Sequence, residues 1–116
     1  MKLEFMYLPT QDLDAALALY RDTLGFDELW REGELTVGLG TGTDVSLMID
    51  AAAAPGFGPG PIFITDDVQA FHAQHDGAYE LVAPPFEIPG GFLSAFKDPG
   101  GNIVDLMDQS TDGGTG

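Results

Sequence analysis

An internal repeat is the feature of this sequence that most constrains its fold. The segment 12–18 (DLDAALA) recurs 55 residues later as 67–73 (DVQAFHA). Each copy follows a short apolar run typical of a strand covered on both faces, and begins with Asp, a preferred helix N-cap. Gly25 and Gly77 then stand where a helix C-terminus needs a positive φ. The repeat predicts an α+β chain of two tandem βαβββ modules.

The other elements follow from local patterning. Leu13, Leu17, Tyr20 and Leu24 form one apolar helical stripe in the first module. Short apolar runs separated by Gly, Pro, Asn and Asp predict strands at 3–8, 26–31, 35–39 and 45–49, then at 62–65, 79–82, 91–97 and 102–107. We therefore predict one domain over 1–108, with module one at 1–50, a Pro/Gly-rich linker at 51–61, module two at 62–108 and a flexible tail at 109–116.

Composition limits the classes of function. The 19 acidic and 4 basic residues give a formal net charge of −15, which repels nucleic acid and anionic membranes. The charge favours cationic ligands, or it serves only as a solvated acidic surface. The absence of Cys excludes disulfides and thiolate chemistry, and no apolar run approaches a membrane span, so we expect a cytoplasmic protein.

Three segments resemble one family, the vicinal oxygen chelate superfamily of glyoxalase I, bleomycin-resistance proteins and extradiol dioxygenases. They are 12–26 (DLDAALALYRDTLGF), 65–70 (TDDVQA) and 96–106 (FKDPGGNIVDL). The resemblance covers about residues 3–108. It implies a cupped mixed β-sheet with the helices outside, and a homodimer. Because this fold hosts several chemistries as well as plain binding, it does not by itself specify a function.

The resemblance also implies where metal ligands would lie. The four positions fall on Phe5, on a residue within 46–50 where only Asp50 can coordinate, on Gly60 with Ile62 next, and on Asp105. Sliding the first strand by one residue would bring in Glu4 but would turn its other side chains to the wrong face. A catalytic divalent site needs about three protein ligands. We therefore predict no metal and no other cofactor.

Seven residues are candidates for lining the cup. Phe5 and Tyr7 share one strand face by period-2 alternation, and aromatic and Met side chains suit flat, apolar or cationic ligands. The full set is Phe5, Tyr7, Trp30, Met48, Phe92, Phe96 and Asp105. For the apolar members the alternative is a role in the core or in a dimer interface. For Asp105 the alternative to ligand binding or base catalysis is a bond to a backbone amide or to Lys97.

Two other features are given structural interpretations. His72 and His75 are the only histidines and lie on the second helix, where they match sheet-facing positions of the first; packing is favoured over metal binding. Residues 98–102 (DPGGN) form a turn motif without a following helix, which excludes a phosphate loop. The segment 84–91 is either a rim or lid of the cup or a passive hairpin.

The resulting hypothesis is a metal-independent small-molecule binding protein, possible ligands being cationic or aromatic antibiotics that it sequesters. The alternative is an enzyme of the same superfamily, a glyoxalase-type lyase or isomerase or a dioxygenase with a rearranged metal site. A third hypothesis is a domain kept for interaction with another protein.

Overall fold

The computed structural model describes residues 1–111 and divides into two compact units. One is Glu4–Pro59, and the other comprises Met1–Leu3 with the chain from Gly60 onward. The elements are β1 (Lys2–Pro9), α1 (Leu13–Leu17), a π-helix (Ala18–Thr23), β2 (Asp27–Glu32), β3 (Thr36–Gly40), β4 (Ser46–Asp50), β5 (Gly60–Ile64), α2 (Val68–Gln74), β6 (Glu80–Ile88), β7 (Gly91–Lys97) and β8 (Ile103–Met107).

In the first unit the strands lie in the order β2-β3-β4-β1. β1 and β4 are parallel, and β2, β3 and β4 pair as an antiparallel meander. The core forms where α1 covers one face of this sheet, and its buried members are Leu13, Leu17, Val37, Leu39 and Ile49. Alternation along the strands leaves the other face to a different set of side chains.

The second unit repeats this pattern, with the strands in the order β5-β8-β7-β6. β5 and β8 are parallel, whereas β6, β7 and β8 are antiparallel. The predicted α+β class, with two tandem βαβββ modules and mixed sheets, is confirmed.

The helix signals of the repeat are seen in both copies. Asp12 Oδ1 accepts a hydrogen bond from the Ala15 amide at 3.0 Å, and Asp67 Oδ1 accepts one from the Ala70 amide at 2.9 Å. The glycines that follow the helices have φ values of 84° at Gly25 and 81° at Gly77. Each cap satisfies an amide of the first turn that has no partner within the helix.

The predicted helical stripe is wrong at its last member. Leu13 and Leu17 are buried and Tyr20 packs against the core, but Leu24 is 54% exposed. The reason is the change to a π-helix, in which the Leu24 amide bonds the carbonyl of Leu19 five residues earlier. The wider turn rotates Leu24 away from the face that an α-helix would give it.

The segment 84–91 belongs mostly to a strand. β6 runs on to Ile88, and a turn with Gly90 at φ 89° leads directly into β7. The segment is therefore part of a β-hairpin, the geometry that the sequence offered as one interpretation. Proline is tolerated here because β6 ends its row of strands, and its register is already irregular around Ala83 and Phe86.

The 98–102 segment is the predicted turn. Asp98 accepts hydrogen bonds from the amide and side chain of Asn102, and Gly101 has a φ of 84°. No helix among residues 1–111 is long and apolar enough to cross a membrane. Most of the predicted tail, 109–116, lies outside the described residues.

Candidate functional site

The face of the first sheet opposite α1 collects four of the seven predicted site residues. Tyr7 pairs with Met48, Met48 with Gly38, and Gly38 with Trp30, so their side chains leave the same face. Phe5 lies two residues before Tyr7 on that face. The expectation that these residues share a surface therefore agrees with the strand register. We call Phe5, Tyr7, Trp30 and Met48 the aromatic face.

Trp30 packs over Gly38, which has no side chain to exclude the ring. A Cβ on Gly38 would overlap the indole, so only glycine leaves room for the ring there. A register shift between Glu28 and Trp30 turns the strand locally. Phe5 meets the indole edge to face, with ring centroids 6.0 Å apart. Half-buried Trp30 and Phe5 thus present aromatic surface in a fixed geometry.

Tyr7 is buried and is held by a ring contact and a hydrogen bond that the sequence did not predict. Its ring is 6% exposed and meets Phe57 of the predicted linker edge to face at 6.5 Å. Its hydroxyl donates to Asp50 Oδ2. Asp50 Oδ1 accepts from the Thr36 hydroxyl at 3.0 Å and the Ala52 amide at 2.8 Å. Both oxygens of Asp50 are therefore used within the fold.

Asp105 is a buried carboxylate with an oxygen that lacks a partner. Its residue is 1% exposed, and Oδ1 has no hydrogen-bond partner among the described residues. Lys97, the alternative partner, instead pairs with Glu80 at 3.4 Å. Desolvation by burial raises the pKa of Asp105 to about 7. Leaving such a group unpaired costs stability, which is typical of residues retained for function.

The face on which Asp105 lies follows from the register of the second sheet. Asp105 pairs with Ile62 on β5 and Ala95 on β7, so these three side chains leave one face. The adjacent residue Ser94 points the other way and lies 2.6 Å from Nε2 of His72 on α2. Asp105 therefore lies on the face opposite α2 and is surrounded there by apolar neighbours.

Phe92 and Phe96 do not lie with Asp105, and this corrects the predicted set. They share the parity of Ser94 on β7 and therefore face α2. Phe96 stacks on Tyr79 with centroids 4.2 Å apart and lies 6.3 Å from the His72 ring. The alternation that places Phe5 with Tyr7 on β1 thus places Phe92 and Phe96 on the face of their sheet that packs against α2.

His72 packs against the sheet as predicted, whereas His75 is the C-cap residue of α2 and is exposed, so that part of the prediction is wrong. His72 Nδ1 bonds the Tyr79 hydroxyl and Nε2 bonds Ser94, so both ring nitrogens have partners. Desolvation, followed by repulsion from His75, lowers the pKa of His72. His75 Nδ1 contacts the Phe71 carbonyl oxygen at 2.8 Å, and its ring stacks on Phe71. The contacts of His72 connect α2 to β7 and to Tyr79, and the contacts of His75 stay at the end of α2.

The residues at the implied metal positions do not fit a divalent cation. Ile62 is the counterpart of Tyr7 in the repeat, because it stands 55 positions later. Tyr7 pairs with Met48, and Ile62 pairs with Asp105. Met48 is therefore the counterpart of Asp105 in the first module. Phe5 offers no ligand, and any Cβ at Gly60 would overlap the Ile103 carbonyl oxygen. One oxygen-bearing position of four remains. Within residues 1–111, no three His, Asp or Glu side chains gather closely enough to hold a metal ion.

Sequence reasoning missed Asp108, which organises the second unit. Its buried carboxylate accepts hydrogen bonds from the amides of Val68 at 2.7 Å and Phe92 at 2.9 Å, and from Ser110. Burial alone would raise the pKa of Asp108, but these bonds together lower it. The sequence offered one indication of this role. Asp108 lies two residues after Leu106, so alternation along the strand places its side chain on the side that faces α2.

Comparison with known proteins identifies the family. Residues 2–106 match the Glyoxalase/Bleomycin resistance protein/Dioxygenase superfamily. The chain belongs to this superfamily, as its repeat and strand order indicate. No curated protein matches it.

Solved structures show the same fold at low sequence identity. An NAD-dependent benzaldehyde dehydrogenase from Legionella pneumophila has a TM-score of 0.76 at 15% identity, with 90% of this chain and 97% of that chain covered. A methylmalonyl-CoA epimerase from Mycobacterium tuberculosis has a TM-score of 0.67 at 19% identity, with 99% and 92% covered. A superfamily member from Vibrio splendidus has a TM-score of 0.63 at 16% identity, with 88% and 93% covered.

Proposed function

We propose that this chain is a metal-independent binding protein for small molecules, with antibiotic sequestration as its role. The observation that carries the proposal is Asp105, whose buried Oδ1 lacks a partner on a sheet face that no helix of its unit covers. A bound ligand with an N–H or O–H donor would supply the missing hydrogen bond. The same fold position in metal-dependent relatives would hold a cation, for which this chain lacks the other ligands.

The ligand class follows from the groups that are presented. Trp30 and Phe5 offer an aromatic surface that suits planar or cationic groups through stacking and cation–π contacts. The formal charge of −15 attracts cations and repels anions. We therefore propose flat or cationic ligands for the aromatic face, and ligands that carry an amine or a hydroxyl group for Asp105. Phe92 and Phe96, which face α2, are not part of the proposed site.

The direct test is a thermal-shift screen of cationic and aromatic antibiotics with the purified chain. The proposal expects a concentration-dependent rise in Tm for at least one compound. The rise should be reduced in Asp105→Asn for a compound that bonds Asp105, and in Trp30→Leu for a compound that stacks on the aromatic face. Leu29→Ala is the matched control, because Leu29 neighbours Trp30 but is 58% exposed. The absence of stabilisation by every member of a broad panel would count against the proposal, as would equal stabilisation of all variants.

A second candidate function is an enzyme of the same superfamily, a lyase, an isomerase or a dioxygenase. The observation that favours it is the pKa of about 7 at Asp105, a value suited to proton transfer near neutral pH. Metal analysis after growth in a supplemented medium separates the two candidates. A stoichiometric divalent ion that is lost in Asp105→Ala would overturn the binding proposal and support the enzyme.

Homodimeric assembly and a cytoplasmic location stay predictions. Sedimentation of the purified chain tests the first, and fractionation of the native host tests the second. A monomer across a wide concentration range would contradict the predicted dimer.

A further inference from the structure

A cavity of about 200 Å³ lies on the α1 side of the first sheet. Its walls come from β1, β4, α1, the π-helix and the end of the segment that leads to β5. They are formed by Leu8, Pro9, Thr10, Ala16, Tyr20, Ile49 and Pro59. A shallower hollow of about 580 Å³ shares Pro9 and Thr10 with it and continues over Gln11, Ala51 and Ala53.

The local sequence explains why space remains there. Ala16 and Tyr20 are four residues apart and line the same cavity, but Ala16 contributes only a methyl group. The helix changes from α to π between them, at Ala18. Isolated π turns of this kind occur frequently at functional sites. Leu17, by contrast, is 3% exposed and fills the core between these positions.

The cavity is separate from the aromatic face. Leu8 and Ile49 line it, whereas Tyr7 and Met48, the preceding residue on each strand, leave the opposite face of the same sheet. A ligand in the cavity would therefore contact none of the residues of the proposed function. The two surfaces can be occupied and tested independently.

The lining defines the chemistry of an occupant. Most of the wall is aliphatic, and an apolar cavity of about 150 Å³ is large enough for benzene. Tyr20 adds a polar group, since its hydroxyl has no hydrogen-bond partner among the described residues. The acidic charge of the chain disfavours an anion. We propose that this cavity is a second binding site, for small neutral aromatic molecules that carry one hydroxyl or N–H group.

The test is an NMR titration of the isotope-labelled full chain with phenol, indole and benzoate. The proposal predicts saturable shifts of the Leu8, Ala16, Tyr20 and Ile49 amides with phenol and indole, and none with benzoate. In Ala16→Leu the larger side chain fills the cavity, and we expect affinity to fall about tenfold or more. Ala15→Leu is the matched control, because Ala15 is exposed on the same helix.

A second variant tests the polar group and does not depend on whether Ala16→Leu folds. Tyr20→Phe should weaken phenol binding about fivefold while leaving toluene binding unchanged. Shifts that do not saturate, or equal affinities in Ala16→Leu and Ala15→Leu, would overturn the proposal. Shifts confined to Phe5, Trp30 and Met48 would also overturn it, because the probes would then bind the aromatic face.

Discussion

The indole of Trp30 lies directly over Gly38, in the space that any other residue at position 38 would fill with its Cβ. This contact fixes one of the two aromatic rings from which we infer the ligand class. Because Trp30 is the single tryptophan of the chain, its emission reports on this contact without labelling.

Gly38→Ala is expected to displace the indole and expose it. The emission maximum should move to longer wavelength, and the affinity for a compound that stacks on the aromatic face should fall about tenfold. Gly40→Ala is the control, since its Cβ would lie 3.1 Å from the flexible end of Leu29 rather than against a ring. Unchanged emission in Gly38→Ala would contradict the proposed role of this contact.

Tyr7→Phe is expected to lower the free energy of unfolding by about 1 to 2 kcal/mol, because Asp50 loses a buried hydrogen-bond donor. Tyr20→Phe removes a hydroxyl without a described partner, so its effect should be a few tenths of a kcal/mol. Chemical denaturation of the two variants gives the comparison. Equal losses would show that the Tyr7–Asp50 bond contributes nothing measurable.

Asp105 is expected to make stability depend on pH. Its folded pKa of about 7 lies above the unfolded value of about 3.9, so the folded chain binds the extra proton between these values. The contribution of Asp105 to stability should therefore be fully present below about pH 4 and be lost as the pH rises to about 7.

Denaturation of the wild type and Asp105→Asn measures this dependence. Relative to the wild type, the variant should gain on the order of 4 kcal/mol between pH 4 and pH 8. Asp44→Asn, an exposed site in the first unit, should show no such trend. A wild-type-minus-variant difference that stays constant with pH would contradict the burial of an unpaired carboxylate.

Asp108 is expected to act with the opposite sign. Its pKa is lowered by the amides it accepts from, so its contribution is present above the unfolded pKa and lost as the pH falls through the folded pKa. Asp108→Asn should destabilise the chain by about 2 kcal/mol at pH 7, because the amide group turns a donor toward Val68 or Phe92. Asp66→Asn is the exposed control in thermal melts. Equal Tm values for the two variants would exclude this role for Asp108.

The repeat was enough to predict the order of the elements, because caps and strand composition are local signals. Asp12 and Asp67 could be identified as caps without any knowledge of tertiary contacts. The π-helix could not be predicted, since ALYRDT also suits an α-helix, and Leu24 was therefore misplaced. The predicted strand at 79–82 was too short because Pro84 and Pro85 argue against a continuing strand. Both prolines are tolerated in β6 because the strand lies at an edge.

The candidate site was predictable in part for the same reason. Period-2 alternation places Phe5 with Tyr7 on β1. On β7 the same alternation places Phe92 and Phe96 on the face opposite that of Ala95, the residue that pairs with Asp105. Which residues lie opposite each other on neighbouring strands cannot be predicted from a local sequence pattern. The bond from Tyr7 to Asp50 and the missing partner of Asp105 therefore emerge only in the folded chain.

The most direct test of metal-independent binding is a calorimetric titration of a screen compound into the chain, with and without excess chelator. We predict saturable binding near one ligand per chain, with the same Kd in both conditions and a weaker Kd in Asp105→Asn. Binding that disappears with chelator and returns with one equivalent of a divalent ion would contradict the proposed function.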